Sequence, residues 1–189
     1  YRLYQISHAL AEDSPVIRER ALYHRVLIEL EVKDYERSEK HLEQLLASYP
    51  ESIYRSEYHF WYALVLHEKN LDPIRSLMAL RQIDEGSERV DDSLFLQGRI
   101  HLEQSNWSQA VRVFRKLKTN LVDSPYLEPG LLFLAEAFFQ QKNHVEAQAV
   151  LSELRQKFNP LQEPIPVIHL QVRNLKAMGA FKEADDLLR

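Results

Sequence analysis

The side chains that could do chemistry are eight histidines at positions 8, 24, 41, 59, 67, 101, 144 and 169, together with 28 aspartates and glutamates. No histidine pair stands four apart and no H-E-x-x-H occurs, so no metal-holding helix face is expected. His59 and His67 lie two turns apart and would need a distant third ligand. The chain has no cysteine, which removes disulfides, thiolate metal sites and cysteine nucleophiles. A glycosidase-type pair needs two acids facing across a cleft. Acids abound here, but no pair is singled out. Residues 36–43 read as a solvated helix face on which Glu36 supports Lys40 at i, i+4. The four glycines, Gly86, Gly98, Gly130 and Gly179, are isolated and make no phosphate-cradling loop or nucleophile elbow. The expectation is a non-enzyme without cofactor or metal.

The elements that carry these residues are helical. Four glycines in 189 residues is well under the roughly thirteen that an average of about 7% would give, which disfavours β-sandwiches and barrels. Leu42, Leu45, Leu46 and Tyr49 recur at helical spacing, as do Leu131, Leu134, Ala135 and Phe138. The eight prolines stand at seams, and Ser14-Pro15 and Asp72-Pro73 each read as an N-cap followed by a helix-opening proline. Net charge is −4, with no run of five like charges, so a basic nucleic-acid arm is not expected. The longest apolar run, residues 60–66, is far short of the ~20 needed to cross a bilayer.

A period runs through the chain. Val26, Ala63, Gly98, Ala135 and Val172 anchor one helix of each unit, 37, 35, 37 and 37 apart. Ser38, Ser76, Ala110, Ala147 and Ala184 anchor the second, 38, 34, 37 and 37 apart. Polar or small turns precede the residue that opens the second helix: Tyr35, Trp107, Phe181 and, as a departure from the aromatic, His144. These segments resemble tetratricopeptide repeats, with their W-x2-L-G-x2-Y, A-x3-F and P signature. The resemblance implies an all-α, right-handed superhelical solenoid of antiparallel helix pairs, one array over 1–189. Its parts would be a flanking helix at 1–13, repeats at 14–52, 53–90, 91–125 and 126–162, and a truncated fifth at 163–189.

The same resemblance implies a function. In this family the first helices line a concave face, and small anchors let the two helices of a pair approach closely. The inward positions are Tyr23, Phe60, Phe95, Leu132 and His169 in a first slot. Leu27, Leu64, Arg99, Glu136 and Arg173 follow one turn on, then Leu30, His67, Leu102, Phe139 and Lys176. The candidate partner-binding residues are Tyr23, Leu27, Phe60, Leu64, Phe95, Arg99, Leu132, Glu136, Phe139, His169 and Arg173. A protein or peptide partner, such as an amphipathic helix, is expected there. Lys and Asn, which the family's clamp for acidic C-termini uses in the first two slots, are absent. Seams at residues 48–54 and 123–129 resemble those of bacterial cell-envelope members, which implies a periplasmic or envelope location, with the cytoplasm as alternative. The alternative function is the helical non-catalytic region of a larger enzyme, such as a cell-wall lytic enzyme. The start at Tyr1 and the bare terminal helices lead to the expectation that the chain continues, or self-associates through uncapped ends.

Overall fold

The computed structural model describes residues 14–69, 72–156 and 164–188. All elements there are helices: α1 Pro15–Glu31, α2 Tyr35–Ser48, α3 Arg55–Glu68, α4 Pro73–Leu80, α5 Val90–Glu103, α6 Trp107–Asn120, α7 Leu127–Gln140, α8 His144–Arg155, α9 Ile165–Ala177 and α10 Phe181–Asp186. The fold class is therefore the all-α one expected. The helix anticipated over 1–13 lies outside the described residues. The chain divides into two compact units, 1–93 and 94–189. In the first, α1 pairs with α2 and α3 with α4. In the second, α7 pairs with α8 and α9 with α10, and α6 packs on α7.

The hairpin turns repeat more strictly than the letters that encode them. Lys33, Ser105, Lys142 and Gly179 all have left-handed backbone, at φ 58°, 56°, 60° and 80°. After each, the next N–H reaches five residues back: Asp34 to the Glu29 carbonyl (2.8 Å), Asn106 to His101 (2.8 Å), Asn143 to Phe138 (2.9 Å) and Ala180 to Leu175 (2.9 Å). This is the Schellman closure, which satisfies carbonyls that the ending helix leaves open. The residue that closes one helix is at once the N-cap of the next. The hairpins therefore have no linker to spare. Only Gly179 occupies the left-handed region without a Cβ penalty.

The seams between hairpins share another device. The hydroxyls of Ser52, Ser87 and Ser124 accept from the N–H two residues on, in Tyr54 (3.0 Å), Arg89 (3.1 Å) and Tyr126 (3.1 Å). At α4, the Asp72 carboxylate accepts from the Ile74 and Arg75 N–H groups, both at 3.0 Å, as its place before proline predicts. Ser14 differs: its side chain makes no cap bond, and its backbone carbonyl takes the Ile17 and Arg18 N–H groups.

All ten anchors are buried, the larger Val26 and Val172 included. Ser76 turns its hydroxyl onto the Ala63 carbonyl at 2.8 Å, so a polar side chain sits in the hairpin's closest contact without an unmet group. Gly98 shows how tight that contact is. A Cβ built there would stand 2.3–2.7 Å from the Phe114 ring. Phe114 is 1% exposed and has no room to withdraw. At Gly130 a Cβ would meet the end of the flexible Leu117 side chain at 3.0 Å and the Phe114 ring at an ordinary contact distance of 3.6 Å. Replacing Gly98 by alanine is expected to cost about 1–3 kcal/mol, the range for overpacking a filled core. Gly130→Ala should cost clearly less. Urea unfolding of both variants checks this ordering, and equal midpoints would contradict it.

Candidate functional site

Each unit carries its own set of the inward positions. In the first, the Tyr23 ring lies against Tyr54 (centroids 6.3 Å) and Tyr58 (5.2 Å). Phe60 sits under the Arg89 guanidinium at 5.0 Å and meets the Trp61 edge at 5.1 Å. Leu27 and Leu64 are half-buried on α1 and α3. Phe60 departs from its expected role. Only 7% of it is exposed, because Arg89 covers it, so the guanidinium and not the ring reaches the surface.

In the second unit Phe95 stacks on Tyr126 at 4.7 Å and touches Phe133 at 5.7 Å. Tyr54, Arg89 and Tyr126 are thus one position used three times. The residue beside the seam serine folds over the first-slot aromatic of the preceding hairpin. Leu132 is half-buried. Arg99 stands 3.5 Å from Glu103, and both are well exposed. His169 is exposed on α9. Three predicted residues do converge. Arg173 lies over the Phe139 ring at 4.7 Å and reaches Glu136 at 4.0 Å, while Glu136 also accepts from Gln140 at 2.6 Å.

Sequence reasoning missed the densest polar site, around Glu57 in the first unit. One carboxylate oxygen accepts from the Tyr23 hydroxyl (2.8 Å), Trp61 Nε1 (2.9 Å) and Arg89 Nη2 (2.6 Å), and the other from Arg89 Nε (2.7 Å). Arg89 spends its remaining arm on Asp92 at 3.0 Å and stacks on Trp61 as well as Phe60. Burial opposes ionisation of Glu57, but the bonds from Arg89, Tyr23 and Trp61 outweigh it and hold the carboxyl below its ordinary range. The hydrogen bonds that Arg89 donates to Glu57 hold it charged against its own burial, and burial with the bond to Glu57 pushes the Tyr23 phenol up. The four hydrogen bonds hold Glu57 ionised and fixed in place. The cluster ties α1, α3 and the start of α5 together. The one sequence signal for it is the recurrence of Tyr, Arg and Tyr two residues after the seam serines.

Two histidines explain local departures from the pattern. His144, where an aromatic was expected, bonds the buried Asn174 amide: ring nitrogen to Oδ1 at 3.0 Å, and Asn174 Nδ2 to the His144 carbonyl at 2.9 Å. His59 holds the position that Leu22, Leu94, Leu131 and Ile168 fill elsewhere. Both of its ring nitrogens are buried without a hydrogen-bond partner. Burial lowers its pKa from 6.5 to about 4, with Arg55 adding to the shift and Asp84 opposing it. No group of His, Asp or Glu among the described residues could hold a metal ion, and no described helix is long and apolar enough to cross a membrane.

The profile of the tetratricopeptide repeat family matches residues 20–52 and 92–124. The two matches cover about a third of the chain, and the chain has the tetratricopeptide-repeat fold. Solved structures show the same fold at low identity. A tetratricopeptide repeat protein from Parabacteroides merdae is 11% identical, with a TM-score of 0.77 over 89% of this chain and 63% of that one. The chain therefore spans less than two thirds of that structure. MamA is 11% identical, with a TM-score of 0.74 over 90% and 87%. The nearly identical TPR-like repeats of a putative kinesin light chain from Podosopora anserina are 17% identical, at 0.67 over 90% and 92%. No curated protein matches the chain. The two profile matches begin in α1 and α5, and the intervening repeat is the one with a histidine in its leucine slot and a second helix, α4, of only eight residues.

A buried histidine that stays neutral makes a repeat sensitive to acid. Between pH 6.5 and about 4 the unfolded chain binds a proton at His59 that the folded chain refuses, so stability falls as pH drops through that window and levels off below it. The expected loss is about 1–3 kcal/mol, after allowance for partial exposure. His59→Leu should remove this part of the acid limb. Parallel urea melts of the two proteins from pH 7 to 4 test it, and superimposable pH profiles would refute it.

Proposed function

We propose that this tetratricopeptide-repeat chain is a non-catalytic scaffold that receives a protein segment on the inner face of its first helices, in a bacterial envelope assembly. The observation that supports this reading is the state of the inner positions. Leu27, Leu30 and Leu64 in the first unit and Leu102, Leu132 and Phe139 in the second are half-buried, neither sealed in the core nor fully solvated. Apolar side chains left in that state on successive helices gain by closing against a partner's apolar face. The fold and the two tetratricopeptide repeat matches support protein partners in general, and the envelope location rests on the resemblance of the seams.

The test uses immobilised full chain and separated envelope and cytoplasmic fractions. Wild type and a Glu36→Lys control, altered on the exposed face of α2, are expected to capture the same discrete partner from the envelope fraction. A Leu27→Glu, Leu64→Glu, Leu132→Glu variant should lose about tenfold or more of that capture at an unchanged melting temperature. Undiminished capture by the triple variant would overturn the groove, and capture from the cytoplasmic fraction alone would overturn the location.

We also propose that the last hairpin associates with a second copy. Leu188 is 59% exposed, whereas its equivalents Leu42, Leu80, Phe114 and Leu151 are at most 1% exposed, and Phe181 beside it is 62% exposed. Light scattering should show mass rising with concentration for the wild type and not for Phe181→Ser with Leu188→Ser. A wild-type monomer throughout would contradict this.

A further inference from the structure

The inner face of the second unit differs in charge from that of the first. Its slots hold Arg99, Arg173 and Lys176 against one acid, Glu136, whereas the first unit's slots hold no Lys, Arg, Asp or Glu. This excess of cations lies in a chain whose net charge is −4. The cations are also poorly neutralised. Arg173 has its nearest carboxylate, Glu136, at 4.0 Å and keeps 56% of its side chain exposed. Arg99 has only an i, i+4 partner at 3.5 Å, on a turn where both side chains are exposed. Lys176 is exposed and forms no ion pair among the described residues. Arg173 is nonetheless positioned, because its guanidinium rests on the Phe139 ring at 4.7 Å, whose other neighbour is the His144 ring at 5.3 Å. A stacked guanidinium keeps its edge N–H groups directed outward and loses little freedom when it meets a carboxylate.

From this charge complementarity we infer that the second unit's inner face takes an acidic amphipathic protein segment, with its Asp or Glu side chains on Arg173, Lys176 and Arg99 and its apolar side chains on Leu132 and Phe139. The inference deepens the groove reading above and rests on it. It concerns side-chain carboxylates along a segment, since the Lys and Asn of the family's C-terminal clamp are absent. Three cations interspersed with Glu136 and the Arg99-paired Glu103 suit a partner that carries occasional acids between apolar residues. A phosphate backbone, with a charge on every residue, would meet Glu136 and an overall negative chain.

The probes are fluorescein-labelled amphipathic peptides of one apolar pattern, one with Glu and one with Lys at the polar positions, and a single-stranded RNA oligonucleotide, each titrated against the full chain by anisotropy. The Glu peptide is expected to bind about tenfold or more tightly than the Lys peptide and to weaken as salt rises. Arg173→Glu with Lys176→Glu, both exposed sites, should reverse the preference while far-UV circular dichroism and melting stay unchanged. Arg173→Lys should retain part of the preference. Equal binding of the two peptides, an unchanged preference in the double variant, or RNA binding tighter than the Glu peptide would each overturn the inference. Loss of peptide discrimination with intact partner capture through Leu27, Leu64 and Leu132 would remove this inference alone and leave the groove reading standing.

Discussion

The structure depends on how closely the two helices of each hairpin can approach. An amphipathic helix of 14 residues cannot bury its apolar stripe alone, and it gains a partner only at a distance its contact residues allow. Here the crossing is set by a small residue on one or both helices, with Gly98 against Phe114 as the limiting case. A Cβ at that point would intrude on a ring that is already 1% exposed. The Schellman closures after Lys33, Ser105, Lys142 and Gly179 join the helices of their hairpins without a linker.

A hairpin so built has one side still open, and the seam residues show how the next hairpin closes part of it. Tyr54, Arg89 and Tyr126 each fold over an aromatic of the preceding repeat. The Arg89 version is the most elaborate, because a cation brings Glu57 and Asp92 with it, and Glu57 brings the Tyr23 hydroxyl and the Trp61 indole. The same covering that stabilises the stack withdraws Phe60 from any ligand. What stays half-open is the leucines one and two turns on and, in the second unit, Leu132 and the Arg173–Phe139–Glu136 group.

On α3 the inner positions split by depth. Nearest the seam, side chains serve the stack. Farther along, they are available to a partner. Phe60 illustrates the first case and Leu64, one turn later on α3, the second. His59 shows a cost of degeneracy: an imidazole in a leucine slot keeps the hairpin's shape at neutral pH, but leaves two nitrogens without partners.

Much was legible in the sequence because the determinants are local and repeated. Helical periodicity, seam prolines and ten anchors in phase specify helix pairs, and all ten anchors are buried in the structure. The Asp72 cap, an interaction within three residues, was legible for the same reason. The tertiary structure alone decided what lies over each side chain. Phe60 reads as a groove residue until Arg89, 29 positions away, is laid across it. His144 reads as a defect until Asn174, 30 positions on, supplies its bonds. Glu57 reads as one acid among 28 until three helices bring four donors to it. Spacing encodes which face of a helix a residue occupies. Whether that face is covered depends on the residues of the next hairpin, which no pattern within one repeat contains.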